Sequence, residues 1–170
     1  MPKIIANVRE RLLEVTREQI TTLGFSGMTI RSVAIGTGVG VGTVYNYFAS
    51  KDELVAEATL EDWRDIINIA SAKIEAMPTT ECAVAATYEA LVSFIDMHKA
   101  LLLDKQAEKL FATTYTKRHA LLRSQLASIV SPVAKSRFGS EFFAEAIITW
   151  VSEGKELSEI MPYLIHALEN

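Results

Sequence analysis

The sequence predicts an all-α protein, and three observations carry that reading. Apolar residues recur at spacings of three and four over most of the 170-residue chain, while the strict alternation of a strand is nearly absent. Gly24, Pro78, Pro132, Gly139 and Gly154 punctuate the periodic stretches. Ser50-Lys51-Asp52-Glu53 has the form of a capping box and marks the start of a long helix. The one organisational break falls near residues 48–53, so the expected plan is a three-helix head over 1–49 and a larger helical body over 50–170.

The first helix is expected over 4–23, with Val8, Leu12, Val15, Ile20 and Leu23 on one side. Gly24 then stops it in a left-handed C-cap, and Phe25 closes back on Ile20. Thr29 is suited to cap a short second helix over 30–36, which turns Val33 and Ala34 inward. Gly38 can take the positive φ of a tight helix-to-helix turn before a third helix over 41–48. Ala49 and Leu54 form a weak staple at the start of the long helix, which carries Val55, Trp63, Ile66, Ile67, Ala70, Ile74 and Met77 and ends at Pro78. Further helices are expected over 80–98, 100–112, 114–134, 140–153 and 159–168.

With 17 Lys+Arg against 21 Asp+Glu the net charge is -4, so the chain is no general polycation and any nucleic-acid contact must be local. Up to Glu53 there are six basic residues (Lys3, Arg9, Arg11, Arg17, Arg31, Lys51) and five acids; the rest holds eleven against sixteen. The lone Cys82 makes no internal disulfide and reads as small filler in an Ala-rich helix, and the first residues lack a secretory pattern, so the cytoplasm is the expected compartment. Residues 32–50 carry no charge, yet Gly36, Gly38, Gly40 and Gly42 with several Ser, Thr and Asn side chains make them too polar for a membrane span, and no membrane partner is expected.

The same glycine run invites comparison with a phosphate-binding turn. A dinucleotide fingerprint needs glycine at its first, third and sixth places; counted from Gly36 the sixth is Val41, and from Gly38 it is Thr43. No Gly-Lys-Ser/Thr follows, and the run succeeds a helix rather than a strand. Read instead as two short helices, the residues fit well: Val33, Val39, Val44 and Phe48 pack across Gly38, small Ala34 permits a close crossing, and Thr43 and Asn46 are left to face a DNA major groove.

Thr29-Ile30-Arg31-Ser32-Val33-Ala34, Gly38-Val39, Gly42-Thr43-Val44-Tyr45-Asn46-Tyr47-Phe48 and Ser50-Lys51-Asp52-Glu53-Leu54, with Gly24-Phe25 before them, resemble the N-terminal signature of the TetR family of transcription regulators. The resemblance spans about residues 11–54 and implies DNA contact by Thr29, Arg31, Val41, Gly42, Thr43, Tyr45, Asn46, Tyr47 and Lys51. Asn46 can pair with an adenine edge, Thr43 can use its hydroxyl or methyl, and Val41 suits a thymine methyl. Tyr45, Tyr47, Thr29 at its helix start and Lys51 suit phosphates. Against this stand plainer roles: core for one tyrosine and Phe48, a cap for Thr29, a solvated turn for Lys51. The sequence departs from the family in Gly40-Val41-Gly42, which leaves the recognition helix without a side-chain cap and frayed in the free protein.

The resemblance further implies double-stranded DNA with a palindromic operator as partner, a homodimer, and a small-molecule effector that releases a repressor. Hydrophobic residues at 49% and a mean hydropathy of +0.19 agree with surface beyond a monomer core. Apolar stripes at Phe143, Ile147, Trp150 and Val151 and at Leu164 and Leu168 are the dimerisation candidates. Trp63, Tyr88, Phe94, His98, Phe111, Tyr115 and His119 are the effector-pocket candidates. No Cys/His cluster has metal-ligand spacing and no nucleophile, base or carboxylate pair demands catalysis, so neither metal, cofactor nor enzyme activity is expected. The alternative is a helical interaction protein that keeps the same head but works through protein partners.

Overall fold

Several helices of this chain start at a side chain that accepts from their first backbone N–H groups. A computed structural model describes residues 7–170, with side chains described outside 108–118. Among the described residues the order is α1 (Val8–Gly27), α2 (Ile30–Thr37), α3 (Val41–Tyr47), α4 (Lys51–Ala76), α5 (Thr80–Met97), α6 (Lys99–Leu102), α7 (Lys105–Val130), α8 (Arg137–Ser152) and α9 (Leu157–Glu169), and no strand occurs. By compactness the chain parts into Met1–Asp62 with Met97–Thr113, and Trp63–Asp96 with Thr114–Asn170. The cut lies beyond Ser50 because Leu54, Val55 and Ala58, on the first turns of α4, share the core of the first unit.

In the first unit Leu12, Leu13, Thr16 and Ile20 are the buried face of α1, while Leu23, expected inside, is exposed because the inward positions at that end fall on Gly24 and Phe25. Gly24 does not finish α1 but kinks it: its φ of 69° and ψ of -179° interrupt a helix that resumes and runs to Gly27. Thr29 caps α2 by accepting from Ser32 N–H at 3.0 Å, and Ser32 Oγ accepts in return from Thr29 N–H at 3.0 Å. Gly36 allows α2 to approach α1, since a Cβ there would lie 2.8 Å from Val15 Cγ1. Gly38 takes φ 77° and ψ 28° and turns the chain toward α3.

The start of α4 follows the expected pattern with one shift. Ser50 Oγ accepts from Glu53 N–H at 3.1 Å, but the Glu53 carboxylate reaches Ala49 N–H, at 2.6 Å, rather than that of Ser50. The break expected near 112–114 is absent. Those threonines bring neither glycine nor proline, and α7 runs through them; the break falls instead at Leu103–Asp104, where Asp104 Oδ1 accepts from Gln106 N–H at 2.9 Å and opens α7.

In the second unit Trp63, Ile66, Ile67, Ala70 and Ile74 of α4 meet the buried faces of α5, α7, α8 and α9, whereas Met77 lies past the end of α4 and is exposed. Cys82 is half-buried, its Sγ 3.6 Å from the Lys73 carbonyl. Gly139 is not a terminator: Ser136 Oγ accepts from Gly139 N–H at 3.0 Å to start α8, and a Cβ on Gly139 would stand 2.3 Å from the Ala167 carbonyl oxygen of α9. Gly139→Ala should therefore force α8 and α9 apart and cost about 1–3 kcal/mol, read as a lowered urea midpoint at unchanged slope.

Candidate nucleic-acid interface

α3 has seven residues and begins at Gly40 without a side-chain cap. What holds it is one apolar edge: Val44 (0% exposed) and Phe48 (2%) pack with Val33 and Ala34 of α2, and Val39 of the turn covers them partly. The opposite side is open. Val41, Gly42, Tyr45, Asn46 and Tyr47 are exposed and Thr43 is half-buried, so one continuous surface carries an amide, a hydroxyl, two phenols and a small aliphatic group. The tyrosines are 53% and 46% exposed, which removes the core reading for both and leaves it to Phe48.

Beside α3, Arg31 is exposed on α2. Thr29 is exposed as well, but its hydroxyl is engaged as the cap of α2. Lys51 differs from its expected role: its ammonium turns back to donate to the Phe25 carbonyl and lies 4.1 Å from the Phe25 ring centroid. Two other basic residues of the head are also committed internally. Arg9 bridges Glu57 at 2.9 Å and Glu61 at 2.8 Å, while Arg17 bridges Glu61 at 2.8 Å and Asp62 at 2.6 Å, tying α1 to α4. The hydrogen bond that Arg9 donates to Glu61 raises Arg9 above its ordinary value despite the opposing effect of burial. Lys3 lies outside the described residues.

The described effector candidates are divided between the two units. Trp63 and Phe94 meet edge to face at 5.3 Å, and Trp63 Nε1 donates to Gln125 Oε1 at 2.7 Å, a buried aromatic corner with a polar partner. His119 lies 3.8 Å from Glu145 in the same unit. Tyr88 donates to the Lys155 carbonyl at 3.1 Å. His98 is in the first unit, buried 3.2 Å from Asp62, while the side chains of Phe111 and Tyr115 lie outside the described residues.

The dimerisation candidates Phe143, Ile147, Val151, Leu164 and Leu168 are buried in the core of their own chain, and Trp150 is half-buried. What α8 and α9 present outward is Phe138 stacked on Phe142 at 6.3 Å, and Tyr163 edge-on to Trp150 at 6.3 Å. Periodicity finds the helix faces but does not say which face the chain itself covers.

Two features escape a reading of the sequence by periodicity. A crevice of about 550 Å³ in the first unit is lined by Arg17, Glu18, Thr21 and Thr22 of α1 together with Asp62 and Met97, which are distant in sequence. Asp104, by contrast, carries a local signal, as a capping residue before Lys105. Among the described residues no helix is long and apolar enough to cross a membrane, and no three His, Cys, Asp or Glu are placed to hold a metal ion.

A short uncapped helix held by two buried side chains behind a glycine turn, its polar face outward, defines a helix-turn-helix protein. Residues 12–58 match the family described as bacterial regulatory proteins, tetR family. The HTH-type transcriptional repressor KstR2 of Mycobacterium tuberculosis is 30% identical over 118 residues, 64% of this chain and 56% of that protein, so the match spans little over half of the relative's length. The regulator SCO7518 from Streptomyces coelicolor A3(2) shares the fold with TM-score 0.73 at 15% identity, covering 96% of this chain and 99% of that one. The multidrug binding protein EbrR, solved with imidazole, does so with TM-score 0.65 at 11% identity, covering 98% and 92%. Residues 12–58 are thus similar to the N-terminal domain of the tetR family of bacterial regulatory proteins, and the fold of the rest is shared with the two solved structures.

A Cβ added at Gly42 would meet nothing within 4 Å, so alanine fits there without strain. Gly42→Ala should strengthen α3 by up to about 1 kcal/mol, seen as slower amide exchange across Val41–Tyr47 with the body unchanged.

Proposed function

We propose that this chain is a cytoplasmic transcriptional repressor that binds a palindromic operator as a homodimer and is released by a small-molecule effector. The observation that carries the proposal is the outward face of α3, where Asn46, Thr43 and Val41 offer an amide, a hydroxyl and a methyl to base edges. Tyr45, Tyr47, Thr29 and Arg31 then supply phosphate contacts that fix register, and Gly42 lets the backbone come close. The repressor KstR2, named for that role, supports the reading through its similarity over 118 residues, as does the family match over residues 12–58.

Homodimerisation is assigned to the outward faces of α8 and α9. Phe138, Phe142 and Tyr163, 76%, 49% and 67% exposed, make an apolar surface that a two-fold partner would cover. The effector reading rests on the Trp63, Phe94 and Gln125 corner, which combines aromatic walls with a side-chain amide, and on EbrR, a multidrug binding protein of the same fold. Differential affinity of the effector for two arrangements of the heads would drive release.

Duplexes selected by the protein from a randomised library test the proposal. Asn46→Ala should weaken binding to the selected site by about 1–3 kcal/mol and relax preference at one base pair per half-site. Equal loss on selected and scrambled duplexes would remove Asn46 from base reading.

A further inference from the structure

The corner at Gly24, Phe25 and Ser26, through which α1 feeds the helix-turn-helix, is gripped from two sides. Gly24 holds a positive φ with extended ψ, a conformation almost confined to glycine, and a Cβ there would come within 3.4 Å of Asp104 Oδ2 and 3.6 Å of the Ala100 carbonyl oxygen. On one side the Asp104 carboxylate accepts from the Ser26 amide at 2.7 Å and from the Ser26 hydroxyl at 2.9 Å. The same carboxylate accepts from Gln106 N–H at 2.9 Å and Ala107 N–H at 3.4 Å, so it holds the first turn of α7 as well.

On the other side Lys51 donates to the Phe25 carbonyl and faces the Phe25 ring. A cation in the first turn of a helix opposes the macrodipole, so α4 itself gives Lys51 no reason to be there; the carbonyl and the ring do. Burial pushes the Lys51 ammonium down, and the charge of Asp104 pulls it back up. The Ser26 amide, first among several hydrogen bonds, holds the Asp104 carboxyl down at about 2 from an ordinary 3.8. A carboxyl lowered on folding stabilises above its unfolded value and loses that contribution as pH falls toward the folded one, so this grip is complete above about pH 4.

We infer that Asp104 and Lys51 are positioning residues that clamp the Gly24–Ser26 corner and so set the direction in which α2 and α3 leave α1, neither side chain touching DNA. The inference rests on the DNA-binding reading for its consequence and on the corner geometry for its existence. It makes the Asp104 carboxylate the point at which a shift of the first turn of α7 reaches the reading helix.

The test uses the full chain with Asp104→Asn, Lys51→Met and the milder Ser26→Ala, compared in two measurements. In the free protein, amide exchange across residues 30–47 should quicken about tenfold in the first two variants and less in Ser26→Ala, with α8 and α9 unchanged. On a duplex selected by the wild type, Asp104→Asn and Lys51→Met should each bind about tenfold more weakly with the salt slope preserved, and the double variant should lose less than the product. Unchanged exchange and affinity would overturn the clamp. A slope reduced by about 0.9 in Lys51→Met would make Lys51 a phosphate contact instead. Should the wild type select no duplex, the DNA-binding reading fails, and with it the positioning role, while the exchange data still decide whether the corner is clamped.

Discussion

A seven-residue helix with no side-chain cap and a glycine at its second position cannot sustain itself in water. α3 exists because Val44 and Phe48 are buried in the core that it shares with α1, α2 and the start of α4, and everything proposed for this chain depends on that packing. Burying those two side chains leaves Thr43, Tyr45, Asn46 and Tyr47 at the angles that face outward, so the packing which makes the helix also chooses its reading face. The turn at Gly38 and the close approach allowed by Gly36 set where α2 offers its half of the contact.

The head commits much of its positive charge to its own assembly. Arg9 and Arg17 are paired with carboxylates of α4, and Lys51 with a backbone carbonyl. The outward face of α3 is therefore neutral, and its chemistry is that of amide, hydroxyl and methyl groups. On the proposed reading, such a face would discriminate by shape and hydrogen bonding more than by attraction to the phosphate backbone. A net charge of -4 is therefore compatible with the proposed DNA contact, which would be local to this face.

Much of this is legible in the sequence because local rules govern it. Thr29, Gly38 and the Ser50–Glu53 box act within a few residues of themselves, and the structure places each at the helix end it was expected to mark. The departures have a common cause. Gly139 sits inside a helix, and Phe143, Ile147, Val151, Leu164 and Leu168 are covered by their own chain, because each outcome is decided by a distant segment that periodicity cannot see. The break at Leu103–Asp104 is of another kind. Asp104 is a local cap and the stretch near 113 holds neither glycine nor proline, so this break is legible from local residues.

The central claim is that the exposed face of α3 meets the base edges of duplex DNA. Backbone amide shifts recorded while a selected duplex is titrated into the protein test it most directly. The account predicts that the largest changes fall on Val41, Thr43, Tyr45, Asn46 and Tyr47, with smaller ones at Thr29 and Arg31. Changes confined to the second unit, or none along α3 while the duplex is bound, would contradict it.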